Sequence, residues 1–215
     1  MSIRKKLTAE NIHYVFTWII RLSLLPALIA AFIQLNYAII FVIVLAFVLT
    51  FIPEMIKHKY HVRLPIEFEV FVVLFIYMSV YLGEVHGYYE QFWWWDTLLH
   101  LGSGVALGFV GFGIILILVR AQKVSASPFL LALFAFCFAM AAGAVWEIFE
   151  FAMDQLFGLN MQKGLVDTMA DLIADAIGAL AASVAGYFYI RSGRSMVLSR
   201  GLEKFIKNNP RLFNR

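Results

Sequence analysis

Residues 94–119 read WWDTLLHLGSGVALGFVGFGIILILV. This stretch carries a single acid, Asp96, and a single imidazole, His100, both near its start, and no charge after them. About 20 mostly apolar residues suffice for a helix to cross a bilayer, so it predicts a transmembrane helix with a polar head. A surface helix of a soluble protein would instead alternate an apolar stripe with a charged face.

Five more stretches read the same way, at about 13–33, 37–53, 66–83, 128–154 and 167–190. The second is short and is expected to stop at Pro53. The predicted fold is all-α: a polytopic membrane bundle of six transmembrane helices in one domain over 1–190, followed by a basic tail over 191–215. Composition agrees. The chain is 62% hydrophobic and 14% charged, where soluble domains run at roughly half apolar and a quarter charged. Mean hydropathy is +0.83. Short connections make consecutive helices antiparallel neighbours.

Basic residues set the expected orientation. Arg4, Lys5 and Lys6 precede the first helix; Lys57, Lys59 and Arg63 follow the second; Arg120 and Lys123 follow the fourth; seven more follow the sixth. Fifteen of the 17 Lys and Arg fall on one side of a six-span topology, leaving Lys163 opposite and Arg21 within a span. Both termini are therefore expected in the cytoplasm. The net charge of +3 reflects this segregation and implies no nucleic-acid partner. The basic N-terminus resembles a signal-peptide n-region, but the apolar stretch behind it is long enough to span and reads as an uncleaved first helix. The lone Cys137 makes no intramolecular disulfide. Trp93, Trp94 and Trp95 read as interfacial aromatics. In the tail, Leu198, Leu202, Phe205 and Ile206 recur at helical spacing, which fits an amphipathic helix on the anionic leaflet or a solvated tail equally well. His13, His58 and His61 read as solvated. Glu67 and Glu69 read as caps or partners of loop lysines.

The acids fall mainly on the outer side of this topology. Residues three or four apart share a helix face. The fourth helix then carries Asp96, His100, Gly104 and Gly108 on one stripe. The fifth carries Ala139, Gly143, Glu147, Glu150 and Asp154. The sixth carries Asp167, Asp171, Asp175, Gly178, Ala182 and Gly186. Each stripe is polar at its outer end and small-residued further in, where small residues let membrane helices approach closely. A carboxylate at mid-bilayer costs about +2.5–3.5 kcal/mol even on the mildest scale. Several together require protons or a neutralising cation.

A divalent metal, Zn, Mn or Fe, satisfies the set, since histidine plus carboxylates is the ligand chemistry of zinc hydrolases and dinuclear carboxylate bundles. The expected ligands are His100, Glu147, Glu150 and Asp171. Glu150, Asp96 and Asp175 are the candidate catalytic groups, with Asp96 and Asp175 also able to ligate or support ligands. Asp154 and Asp167 border the site, and Arg21 and His86 are candidate substrate contacts, although Arg21 reads first as snorkelling or paired with a carboxylate. The reading is a metal-dependent hydrolase acting on a lipid or lipid-linked substrate. The alternatives are a cation- or proton-coupled small transporter and a non-catalytic subunit with a structural cation. Against transport, the inner halves of the stripes are Gly and Ala, with only Arg21 and Glu69 as polar stations further in. Oligomeric state stays open.

The runs Trp95-Asp96-Thr97-Leu98-Leu99-His100, Trp146-Glu147-Ile148-Phe149-Glu150-Phe151 and Asp167-Thr168-Met169-Ala170-Asp171, in this order, resemble the YjdF-like family of uncharacterised bacterial inner-membrane proteins, over about residues 80–185. The resemblance implies a multi-pass protein of the bacterial cytoplasmic membrane with a functional site, and implies no reaction. Two departures stand out: the family's Gly-Asp before the Asp-Thr run is Lys163-Gly164 here, and its tryptophan is Val166. If that aspartate is a ligand, Asp167 or Asp175 has to compensate.

Overall fold

A computed structural model describes residues 9–158, 160–192 and 200–213. The described residues are helical throughout, apart from short connections: α1 (Ala9–Ile33), α2 (Tyr37–Leu49), α3 (Ile52–Tyr60), α4 (Ile66–Ile76) continuing with π-type winding over Tyr77–Val85, α5 (Tyr88–Gln91), α6 (Trp95–Arg120), α7 (Pro128–Phe157), α8 (Leu165–Ser192), α9 (Arg200–Asn208) and α10 (Pro210–Phe213). Six segments are long and apolar enough to cross a membrane: His13–Ile33, Ile39–Tyr60, Ile66–Val85, Trp95–Arg120, Pro128–Leu156 and Leu165–Ser192. The chain packs as two compact units, Met1–Trp93 and Trp94–Arg215.

The second span corrects the expectation at Pro53. α2 ends at Leu49, a short break follows, and α3 resumes with Pro53 in its first turn. Proline has no N–H to donate, but the first turn of a helix needs none there. The segment therefore runs on to Tyr60 instead of stopping.

In the first unit α1 packs on α2 and α4, and α2 packs on the π-wound stretch. The apolar core is Leu24, Ala31, Ile43, Ala46, Ile76 and Tyr81. A polar layer sits beside it. Arg21 is 3% exposed. Its Nε donates to Thr50 Oγ1 at 3.0 Å, and one Nη donates to the Thr50 carbonyl at 2.8 Å and to Glu54 Oε1 at 2.9 Å. The guanidinium lies 3.7 Å from the Phe51 ring centroid. Arg21 thus satisfies a carbonyl that the α2–α3 break leaves without a helical partner, and its expected pairing with a carboxylate is realised with Glu54. Glu69 is buried and takes Lys57 Nζ at 2.6 Å and His13 Nε2 at 3.1 Å. His13 is therefore not solvated as expected. The cost of burying Glu69 draws in the nearest donors.

In the second unit α6, α7 and α8 pack against one another. The small residues do what their spacing suggested. A Cβ on Gly104 would stand 2.5 Å from the Asp175 carbonyl oxygen, and one on Gly178 would stand 2.3 Å from that of Leu101. Backbone meets backbone at this crossing. At the far end Leu202 and Phe213 are buried against Phe112, Ile115, Leu116, Leu131 and Ala135, with Phe205 and Ile206 alongside. The tail's apolar face is thus covered by the protein's own helices. Leu198 lies outside the described residues. Trp95 is buried while Trp93 is 89% exposed, so the three tryptophans do not share one environment.

Candidate metal centre

The α6–α8 crossing brings the polar heads of three helices together. Asp96 and His100 are one turn apart on α6, Glu147 stands on α7, and Asp171 and Asp175 are one turn apart on α8. His100, Glu147, Asp171 and Asp175 are all buried. The faces of α6 and α8 turned away from the group carry Leu98, Ile173 and Ile177, all exposed.

His100 organises the group. Its Nδ1 lies 3.2 Å from Asp175 Oδ2. An ionised carboxylate only accepts, so Nδ1 is the nitrogen that donates to Asp175, and Nε2 is the one left for the other acids. That nitrogen faces Asp96 Oδ1 and Glu147 Oε1, each at 3.7 Å. These gaps exceed a hydrogen bond. They approach the roughly 3–3.5 Å that separates two ligand atoms each bound at about 2.1 Å to one ion. One donor atom each from Asp96, His100 and Asp171 lies within 4.8 Å of the other two. A histidine held by a carboxylate through its second nitrogen is the usual support of a metal-ligating imidazole.

Asp175 is itself held. Ser103 Oγ lies 3.1 Å from Asp175 Oδ1 and 2.8 Å from the His100 carbonyl, so its one proton serves either acceptor. Gly143 makes the space: a Cβ there would stand 2.2 Å from Asp175 Oδ2. Glu147 is the opposite case. It is 5% exposed, and neither carboxylate oxygen has a hydrogen-bond partner among the described residues. The Thr168 hydroxyl is near enough to influence it electrostatically but makes no bond of normal geometry to it. Thr168 instead accepts from Gln162 Nε2 at 2.9 Å. Two orphaned acceptors in a buried site are costly and fit a cation.

The remaining expected residues go elsewhere. Glu150 is half-buried and accepts from Trp146 Nε1 at 2.9 Å; it is not part of the Asp96–His100–Asp171 group. Asp154 accepts from the backbone N–H of Met161 and Gln162 at 2.7 and 2.9 Å, tying down the α7–α8 connection. Asp167 accepts from the Lys163 backbone at 3.3 Å. The Lys163 ammonium reaches Asp96 Oδ2 at 3.2 Å. Burial draws the Lys163 pKa down, but Asp96 and the nearby Asp167 and Asp171 outweigh it and hold the group above the ordinary lysine value. Arg21 and His86 belong to the first unit, where the His86 ring meets Tyr81 edge-on at 4.8 Å between centroids.

Sequence reasoning did not single out the division of labour between the two His100 nitrogens, or Gly143 as the seat of a carboxylate. It also missed Thr50 and Glu54, although an arginine within an apolar span signals that such partners exist.

Helices and site together define a multi-pass integral membrane protein with a buried acid/imidazole group able to hold a metal. The chain belongs to the family described as "predicted membrane protein" (DUF2238), which matches residues 16–192; the YjdF-like resemblance is consistent with it. An uncharacterised protein of Thermotoga maritima is 29% identical over 119 residues, 55% of this chain and 60% of that protein. The match thus spans less than two thirds of the relative's length. No solved structure matches with significance.

Proposed function

We propose that the protein is a metal-dependent membrane hydrolase, or a related enzyme, acting at the outer leaflet of a bacterial cytoplasmic membrane on a lipid or lipid-linked ester or phosphate. The observation that carries this reading is Glu147, buried with two oxygens unpartnered among the described residues, 3.7 Å from the second nitrogen of His100. Asp96, His100 and Asp171 would hold the ion, and Asp175 would fix the imidazole. A mixed nitrogen and oxygen set suits Zn, Mn or Fe. Such an ion would supply an activated water and polarise the scissile group. Glu147, as a ligand or beside one, would serve as general base, with Glu150 one turn further along α7. Arg21 and His86 stay proposals as substrate contacts.

The test is metal content. Protein purified without added metal or a polyhistidine tag, analysed by inductively coupled plasma mass spectrometry, should carry one or two equivalents of Zn, Mn or Fe. Glu147→Gln/Asp171→Asn should lose them. Absence of metal even after reconstitution with each ion would sink the reading. A loaded protein then justifies a screen of lipid-phosphate and ester substrates, in which His100→Ala abolishes turnover.

One observation favours a second reading, a cation- or proton-coupled transporter. The first unit buries Thr17, Arg21 and Glu69 within its apolar spans, so it carries polar stations of its own. In that case Asp175→Asn changes the pH dependence of flux into proteoliposomes.

A further inference from the structure

The candidate metal centre gathers four carboxylates, Asp96, Glu147, Asp171 and Asp175, around one imidazole. Set against them is the Lys163 ammonium, at 3.2 Å from Asp96 Oδ2. Asp96 is thus shared: Oδ1 faces the His100 nitrogen and Oδ2 faces the lysine. The backbone that carries Lys163 is pinned. Met161 and Gln162 donate to Asp154, Lys163 donates to Asp167, and the Gln162 side chain donates to Thr168. The four-carbon stem is the flexible part, and the side chain is 32% exposed, so it has room to move. A divalent ion between Asp96, His100 and Asp171 would claim the same carboxylate and repel the ammonium.

Resting on the metal reading above, we propose that Lys163 is the resident counter-ion of this site, and that a divalent metal must displace it from Asp96 in order to bind. Lys163 then sets the affinity of the site: it neutralises the acids when no metal is bound and competes when metal arrives. A lysine that merely built the site would have the opposite effect on affinity when removed.

The experiment is a metal titration of the full chain in detergent, with Zn²⁺ or Mn²⁺ against a chelating dye, on wild type, Lys163→Gln and Lys163→Arg. A partly exposed ion pair of this kind predicts about fivefold tighter binding in Lys163→Gln, with Lys163→Arg near wild type. Wild type that binds metal while Lys163→Gln binds it equally or more weakly would overturn the proposal and leave the metal reading intact. No binding by any of the three would overturn the metal reading, and the counter-ion with it. If Lys163→Gln fails to fold, the reactivity of Lys163 in the wild-type protein decides. Acetylation of Lys163 by acetic anhydride, followed by mass spectrometry, should rise several-fold on adding Zn²⁺, with Lys204 and Lys207 unchanged. Unchanged reactivity at Lys163 in the metal-bound protein would overturn displacement.

Discussion

His100 Nδ1 and Asp175 Oδ2 lie 3.2 Å apart across the α6–α8 crossing, and this contact decides which imidazole nitrogen faces the other acids. Asp175→Asn keeps the shape but can present an amide N–H to Nδ1, which lets the imidazole take the other tautomer. Loss of such a supporting partner typically costs 10–100-fold in metal affinity. The expected result is that loss in a metal titration, with helical content by circular dichroism unchanged.

Gly143 seats the Asp175 carboxylate. Gly143→Ala should therefore reproduce the metal-binding loss of Asp175→Asn and also lower thermal stability in detergent, because the new methyl would stand 2.2 Å from Oδ2. Gly113→Ala is the control: nothing lies within 4 Å of its added Cβ. It should be neutral or stabilising by up to about 1 kcal/mol, since alanine loses less backbone freedom in a helix.

Arg21 should matter for stability. Arg21→Met removes three hydrogen bonds and leaves the Thr50 carbonyl and Glu54 without this partner. The expected cost is about 2 kcal/mol in a denaturing-detergent titration. Glu54 is 41% exposed, so Glu54→Gln should cost less. Arg21→Met/Glu54→Gln should cost less than the sum of the two single changes, as expected for coupled neighbours.

The Lys163–Asp96 pair has a defined pH signature. The Lys163 pKa is raised above its ordinary value of 10.5 in the folded protein, so the folded state binds its proton more tightly than the unfolded one. The pair's contribution is fully present below 10.5 and is lost as pH rises through the folded value. Unfolding measured against pH should show no Lys163-dependent change around neutrality. The difference between wild type and Lys163→Gln should shrink only in alkali.

Much of this architecture follows from local chemistry. Apolar runs of spanning length, interrupted by basic loops, leave the backbone no alternative to helices in lipid. The positions of Asp96, His100, Glu147, Asp171 and Asp175 at three- and four-residue intervals put them on definite faces before any packing is known. The class of the chain and the helix faces that carry these residues were therefore legible from spacing alone. The exact end of the second span was not, because a proline that ends one helix can equally open the next.

Tertiary structure decided what spacing cannot express. Glu147 and Glu150 are three residues apart on one predicted stripe, yet one is buried beside His100 and the other turns to Trp146. The 100° advance per residue spreads a stripe over an arc, and the neighbouring helices settle which part of that arc is enclosed. Asp154 reads as a site acid and becomes a loop anchor, because two backbone N–H groups after α7 need an acceptor. The pairs His100–Asp175, between α6 and α8, and Lys163–Asp96, between the α7–α8 connection and α6, are separated by 75 and 67 residues. Helical periodicity relates side chains within one helix, and only the close crossing allowed by Gly104 and Gly178 brings such partners together.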